Sequence, residues 1–363
     1  MGIKTKTATL KDVAASAGVS IKTVSNVVNH WPYVSDETRK KVWEAISSVG
    51  YRPNFNARSL VTGKTRTLGV IIPDISNHFF GMAIRGCEDS LYESEYSLIL
   101  CNTNEDVERE RFNLEMLLSR GVDGLVLWGT RICCEELEQL TGPDLPLVTV
   151  ELAVEPSKPR HTSINVDNVR GACAVTRHLV ELGHTQIAHL AGPDGRLTAD
   201  RRLAGFRQTL EESGLEVQPQ RIQPGRPSIR GGYIAAQELL RKEKPQAIFC
   251  YNDLMALGAM VAIRDLGLSI PQDLAVAGFD DILIASLAEP PLTTVRIAQY
   301  ELGKLTGKLL LDNLHAQDPR PRSIQFPVEL VVRNSTQAGA VSPEDRNRMM
   351  DNLVSSLSAD IPG

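Results

Sequence analysis

Between residues 9 and 50 the apolar positions recur every three or four residues, the period of a helix with one buried face. Leu10, Val13, Ala14 and Ala17 make the first stripe, with Thr9 and Asp12 spaced as a capping box in which Asp replaces the usual Glu or Gln. Gly18 ends this helix, because a left-handed C′ residue costs least as glycine. Ser20 opens a second run over residues 21–29. Its Val24, Val27 and Val28 share an inward face, while Ile21, Lys22, Ser25, Asn26 and Asn29 have nothing to bury them. A third helix is expected from the N-cap Ser35 through Val42, Trp43 and Ile46 to Gly50. Two short helices across a tight glycine turn make a helix-turn-helix.

A short helix over residues 55–62 follows, with Asn54 as cap and Gly63 as stop. About eight residues cannot hold a helix alone in water. Ala57 and Leu60 share one of its faces, and spacing alone favours an ordinary linker helix that packs Leu60 inward.

From Leu68 the pattern changes to short continuous apolar runs bounded by Gly, Pro, Asn and Asp. LGVIIPD, SLILCNT, GLVLWGT, LPLVTVE and TSINVD form one series, IAHLAGP, AIFCYND and LAVAGFDD a second, and LTTVRI and PVELVVR come last. Helical segments near residues 80–93, 109–120, 169–182 and 253–266 fall between them. Such runs indicate parallel sheets covered on both faces. The expected fold is therefore α + α/β: a helix-turn-helix headpiece (residues 1–50), a hinge helix (51–64), a body of two doubly wound α/β subdomains with a cleft between them (65–334), and a C-terminal tail (335–363). In the tail, Met350, Leu353 and Leu357 have helical spacing, which leaves a frayed end and a short oligomerising helix both open.

Charge separates these parts. Residues 1–66 hold eleven Lys+Arg against four Asp+Glu, a net of +7 in a chain of net −5, so the remainder carries −12. Any small three-helix bundle shows the helical pattern; a basic arm on an acidic body is in addition the footprint of phosphate contact. On the exposed face of the second helix, Lys22 and Asn26 are donors suited to base edges, and Thr23 and Ser25 are small hydroxyls able to reach phosphates. The six cysteines show no CxxC and no metal spacing with histidine, and read as buried thiols of a reducing cytosol. The start MGIKTKTATL has no apolar h-region, from which we expect no secretory signal, and no run approaches membrane-spanning length. A cytoplasmic protein without metal or cofactor is expected.

TLKDVAASAGVSIKTVSNVVN followed by VSDETRKKVWEAISSVGYRPN resembles the headpiece of the LacI/GalR family of bacterial transcription repressors, and the body is similar to that family's, which is itself like periplasmic sugar-binding proteins. The resemblance implies that Ile21, Lys22 and Asn26 read bases and that Ser20, Thr23 and Ser25 touch phosphate; Asn26 stands where arginine is frequent. Thr9, Asn29, Asn54 and Ala57 complete the candidate DNA-contacting set. It also reverses the reading of the hinge, making Leu60 a lever inserted into the minor groove, where an apolar wedge kinks DNA. Further implications are a pseudo-palindromic operator, a homodimer with a tetramer left open, and chain crossings between subdomains near residues 165–167, 296–298 and 327–329.

Ligands of open α/β sheets bind at the strand carboxyl ends. Asp74, Asn77, Phe79 and Phe80 follow the first strand, Arg201 and Arg202 follow IAHLAGP, Asn252 and Asp253 end AIFCYND, and Asp280 and Asp281 end LAVAGFDD. Each can equally be a cap or turn residue, and Asp253 is read as the cap of the helix it begins. For Arg202, Asn252 and Asp280 the resemblance implies direct effector contact. Where some members stack an aromatic on the effector this chain has Pro227, so Trp128 is the alternative platform, and Ile297 replaces an expected glutamine. A sugar or glycoside is the first expectation for the effector, a nucleobase the second. Two other classes compete with a regulator. An enzyme using the Asp280–Asp281 pair lacks any GxSxG, GxGxxG or HExxH, and adjacent strand-end carboxylates point apart. A solute-binding protein would need a secretion signal and no basic headpiece.

Overall fold

The structure is a computed structural model and describes residues 8–28, 31–51, 63–152 and 156–339. Its contacts divide the chain into two units, Met1–Thr65 and Arg66–Gly363.

In the first unit the sequence pattern becomes three helices, α1 (Leu10–Ala17), α2 (Ile21–Val28) and α3 (Asp36–Val49). Val13, Ala14, Val24, Val27, Val42, Ala45 and Ile46 are its buried core. The Thr9 amide donates to the Asp12 carboxylate at 2.8 Å, and the Thr9 hydroxyl donates to the same oxygen at 2.7 Å. Ser20 caps α2 by accepting the Thr23 amide at 3.0 Å, and Ser35 accepts that of Thr38 at 3.4 Å. Gly18 (φ 64°) and Gly50 (φ 65°) take the left-handed conformation that ends α1 and α3. The expected hinge helix, with Asn54, Ala57 and Leu60, lies outside the described residues, as do Asn29 and the tail beyond residue 339.

The second unit has two parallel sheets. The first is built by β1 (Thr67–Ile72), α4 (His78–Leu91), β2 (Ser97–Asn102), α5 (Val107–Ser119), β3 (Gly124–Trp128), α6 (Cys134–Thr141), β4 (Leu147–Val150) and β5 (His161–Val166). The chain then crosses into α7 (Asn168–Glu181), β6 (Ile187–Ala191), α8 (Leu197–Glu212), β7 (Ile222–Pro224), α9 (Ile229–Lys242), β8 (Ala247–Cys250), α10 (Asp253–Asp265), β9 (Ala275–Ala277) and α11 (Leu283–Leu287). After β10 (Thr294–Arg296) it returns through α12 (Gln299–His315) and β11 (Arg322–Phe326), and crosses again into β12 (Glu329–Val331). The sheet orders are β11-β5-β4-β3-β1-β2 and β7-β6-β8-β9, with β10 and β12 antiparallel. The three crossings lie at the implied places.

Strand alternation assigns each residue to a layer. Leu68, Val70, Ile72, Val126 and Trp128 join the main core with α4 and α12. Ile71, Leu125 and Leu127 point the other way, into the layer of α5 and α6 with Leu114, Leu117 and Leu137. The first layer is thin because Gly86 and Gly303 let α4 and α12 touch: a Cβ at Gly86 would overlap the Tyr300 carbonyl, and one at Gly303 that of Ala83.

Four expectations are corrected. Strands β7 and β11 were not legible, and β11 completes the edge of the first sheet. The body does not end at residue 334: Ser335 accepts the Thr293 amide at 2.8 Å and donates to the Val276 carbonyl at 2.6 Å, so its hydroxyl is part of the core. The cysteines are not all buried, since Cys133 is exposed and Cys173 half-buried. Asp253 is not the cap of α10; Asn252 is, accepting the Met255 amide at 3.0 Å. Asp253 is fully buried and accepts from the Ile282 amide (2.8 Å) and the Thr294 hydroxyl (2.5 Å), which tie α10 to the strand crossing. Among the described residues no group of three or more His, Cys, Asp or Glu could hold a metal, and no helix is long and apolar enough to cross a membrane.

Candidate functional site

The first unit presents α2. Val24 and Val27 are fully buried and fix its roll, which turns Ile21 (45% exposed) and Lys22 outward and leaves Thr23, Ser25 and Asn26 half-buried. Ser20 and Thr23 share a hydroxyl–hydroxyl bond of 2.8 Å at the helix start. Thr9 and Ser20 are exposed. An N-terminal turn with a lysine and small hydroxyls can meet a phosphate and a base edge together.

The second unit holds a cleft, partly open to solvent, between the two sheets. Asp74, Asn77, Phe79, Phe80, Trp128, Arg202, Asn252 and Asp280 all lie on its wall, as do Pro227 and Ile297. Strand ends place them. Asp74 closes the turn after β1 by accepting the Ser76 amide (2.9 Å), and Asn77 caps α4 by accepting the Phe79 amide (3.0 Å). Phe79 and Phe80 are edge-on to each other at 5.2 Å, and each meets Trp128 at 6.1 Å. Trp128 is thus one ring of a three-ring cluster rather than a lone platform. Its Nε1 has no hydrogen-bond partner among the described residues.

Arg202 is the hub of the opposite wall. Its Nε donates to Asn168 (2.8 Å), Nη1 to the Tyr251 carbonyl (2.6 Å) and Nη2 to Asp280 (3.1 Å). The guanidinium lies 3.7 Å from the Phe279 ring centre and 4.7 Å from that of Tyr251. Burial pushes the Asp280 carboxyl up to about 6, against the pull of Arg202. Asp280 has φ 114°, a strained conformation for a non-glycine residue, which turns its side chain to the cavity. Asp281 turns away, to Arg296 (2.7 Å) and Arg333 (2.6 Å), so the two carboxylates do not act as a pair.

Several wall residues were missed from sequence. Glu151, directly after β4, accepts from Val166 N–H (3.0 Å), Asn168 (2.7 Å) and Arg201 (3.0 Å), and burial raises its pKa. Arg196 donates across the cleft to the Gly129 carbonyl and Glu105. Thr198 and Tyr251 bond through their hydroxyls at 2.7 Å. Glu105, Glu151 and Tyr251 sit just beyond β2, β4 and β8, so the strand-end rule applied to every strand would have found them.

Comparisons with known proteins agree with this arrangement. Residues 9–54 match the model of bacterial regulatory proteins of the lacI family, and residues 176–336 that of the periplasmic binding protein-like domain. The chain is 35% identical over 336 residues to the HTH-type transcriptional repressor PurR of Aliivibrio fischeri (strain MJ11), covering 90% of this chain and 98% of that one. Among solved structures, the lac repressor dimer bound to operator and the anti-inducer ONPF is 31% identical with a TM-score of 0.81, over 91% of this chain and 99% of that one. A transcriptional regulator CelR–cellobiose complex is 31% identical with a TM-score of 0.68, over 90% and 99%. A helix-turn-helix on one unit and a two-sheet cleft on the other are the parts of such a repressor, and the chain belongs to the lacI family of bacterial regulatory proteins as a DNA-binding transcriptional repressor, not an enzyme.

Proposed function

We propose that the cleft binds a sugar or glycoside and that this ligand controls the affinity of a cytoplasmic homodimer for a pseudo-palindromic operator. The observation that carries the reading is the facing of two walls: the apolar cluster of Phe79, Phe80 and Trp128 on one side, Arg202, Asn252 and Asp280 on the other. A pyranose has an apolar face for the first and a ring of hydroxyls for the second. Cellobiose in the similar CelR structure supports it. A nucleobase is the second reading, favoured by the same aromatic wall, which suits a flat heterocycle.

In the first unit, Ile21, Lys22 and Asn26 face base edges and Ser20, Thr23 and Ser25 phosphates. One headpiece reads one half-site, so a two-fold dimer is required. Support for the dimer lies in exposed apolar side chains on neighbouring helices: Ile229 and Ile234 on α9, Val261 on α10 and Leu266 just beyond it, and Leu283 and Leu287 on α11.

A melting-temperature screen with cellobiose, ribose, lactose and the free nucleobases tests the ligand. A ligand of the native state raises the melting temperature, and Asp280→Asn should abolish the rise. A response to nucleobases alone would replace the sugar reading by the second.

A further inference from the structure

We propose that Glu105 is a charge gate that sets the ligand class of the cleft: by holding Arg196 it admits uncharged, hydroxyl-bearing ligands and refuses anions such as phosphate. This rests on the reading of the cleft as the ligand site. Among the described residues the wall carries four carboxylates, Asp74, Glu105, Glu151 and Asp280, and two guanidiniums, Arg196 and Arg202, with Arg201 behind it paired to Glu151 (3.0 Å). Both guanidiniums are engaged. Arg202 commits its N–H groups to Asn168, Tyr251 and Asp280, and Arg196 commits its own to Glu105 and the Gly129 carbonyl. An anion entering here meets, among the described wall residues, no guanidinium that is not already held by a carboxylate.

The two pairs are not equally fixed. The Arg202–Asp280 pair is locked, with side chains 6% and 8% exposed and aromatic rings against the guanidinium. Glu105 is the outer partner, its side chain 31% exposed against 9% for Arg196. It sits in the loop joining β2 to α5, where Asn104 (φ 52°) and Glu105 (φ 65°) are both left-handed, so the pair is held in a conformation a glutamate seldom adopts. The neighbouring Arg131 reaches the same loop through a carbonyl rather than the carboxylate: its Nη1 donates to the Glu105 carbonyl (3.4 Å), while its backbone amide donates to Glu110 (3.1 Å). Removing the Glu105 charge therefore frees one cationic donor, Arg196, at the mouth of the cleft.

The test is the melting temperature of the full chain against inorganic phosphate, with chloride controls at matched ionic strength, for the unaltered protein, Glu105→Gln and Glu105→Gln/Arg196→Met. The gate predicts no saturable rise for the unaltered protein, a saturable rise in Glu105→Gln with phosphate bound roughly tenfold tighter or more, and loss of that rise in the double variant. Glu105→Asp, which keeps the charge, should stay unresponsive, and circular dichroism of each unliganded variant shows that it is folded. Equal phosphate responses in the unaltered protein and Glu105→Gln would overturn the gate. So would a Glu105→Gln that melts lower and ignores phosphate, which would make the pair a subdomain clasp only. If no sugar binds the unaltered protein while phosphate behaves as stated, the sugar reading falls and the gate stands; if a sugar binds and the phosphate responses are equal, only the gate falls.

Discussion

Arg202 shows how one residue serves both stability and binding. Its charge is buried and matched by Asp280, two oxygen acceptors and two rings. Arg202→Ala leaves the Asp280 carboxylate buried and unpaired, so the body should lose about 3–5 kcal/mol in urea denaturation as well as its ligand response. Asp280→Asn keeps the shape and is the cleaner test of binding. Histidines set the acid limit. His161 bonds to Thr149 (2.9 Å), His189 lies between the Phe206 and Phe249 rings, and burial pushes both down to about 4. A depressed base binds fewer protons folded than unfolded, so its contribution is present above about pH 6.5 and lost as pH falls toward 4. Asp280, raised to about 6, has the opposite sign and loses its contribution as pH rises from about 4 to 6. The difference between the protein and His189→Gln isolates one group: the variant's stability should change less between pH 6.5 and 4, by up to about 1.4 kcal/mol per pH unit. Equal pH slopes would show His189 to titrate normally. The histidines' burial was not legible in the sequence, where a histidine in IAHLAGP carries no sign of its surroundings.

Elements were more legible than contacts, for reasons the structure makes plain. The headpiece helices announced themselves because Thr9, Gly18, Ser20, Ser35 and Gly50 are local signals satisfied within a few residues. Strands β1, β3 and β4 were clear because both faces are covered and the runs are almost continuously apolar. Strand β11 was missed because it lies on a sheet edge with only Phe326 buried, and β7 because it spans three residues. Close packing is invisible to periodicity: Gly86 looks like a helix-weakening residue, yet it is where α4 meets the α12 backbone at Tyr300. Gly86→Ala, favourable for an isolated helix, should here destabilise by about 1–3 kcal/mol; a higher melting temperature would refute the contact. In the headpiece, Ser20→Ala removes the α2 cap and should cost about 1 kcal/mol. Lys22→Ala should relax base preference at one operator position by roughly 1–3 kcal/mol. Equal weakening on specific and random DNA would make Lys22 a phosphate contact.

At the scale of the molecule, charge asymmetry and a change of pattern at Leu68 mark two units in the sequence itself, and the contacts divide the chain at Thr65 and Arg66. The cleft's location followed from strand ends; its electrostatics did not, because Glu105 and Arg196 are distant in sequence and meet only when the subdomains face each other. In the proposed function, ligand and operator are linked through a difference in affinity of each for two arrangements of a dimer, and such a coupling is reciprocal. The most direct measurement is the affinity for operator DNA, by fluorescence anisotropy, with and without the sugar that raises the melting temperature, alongside calorimetry of that sugar with and without operator. The account predicts a change of about 5–150-fold in operator affinity and the same factor in sugar affinity, both abolished by Asp280→Asn. Operator affinity that is identical with and without a saturating sugar would contradict it.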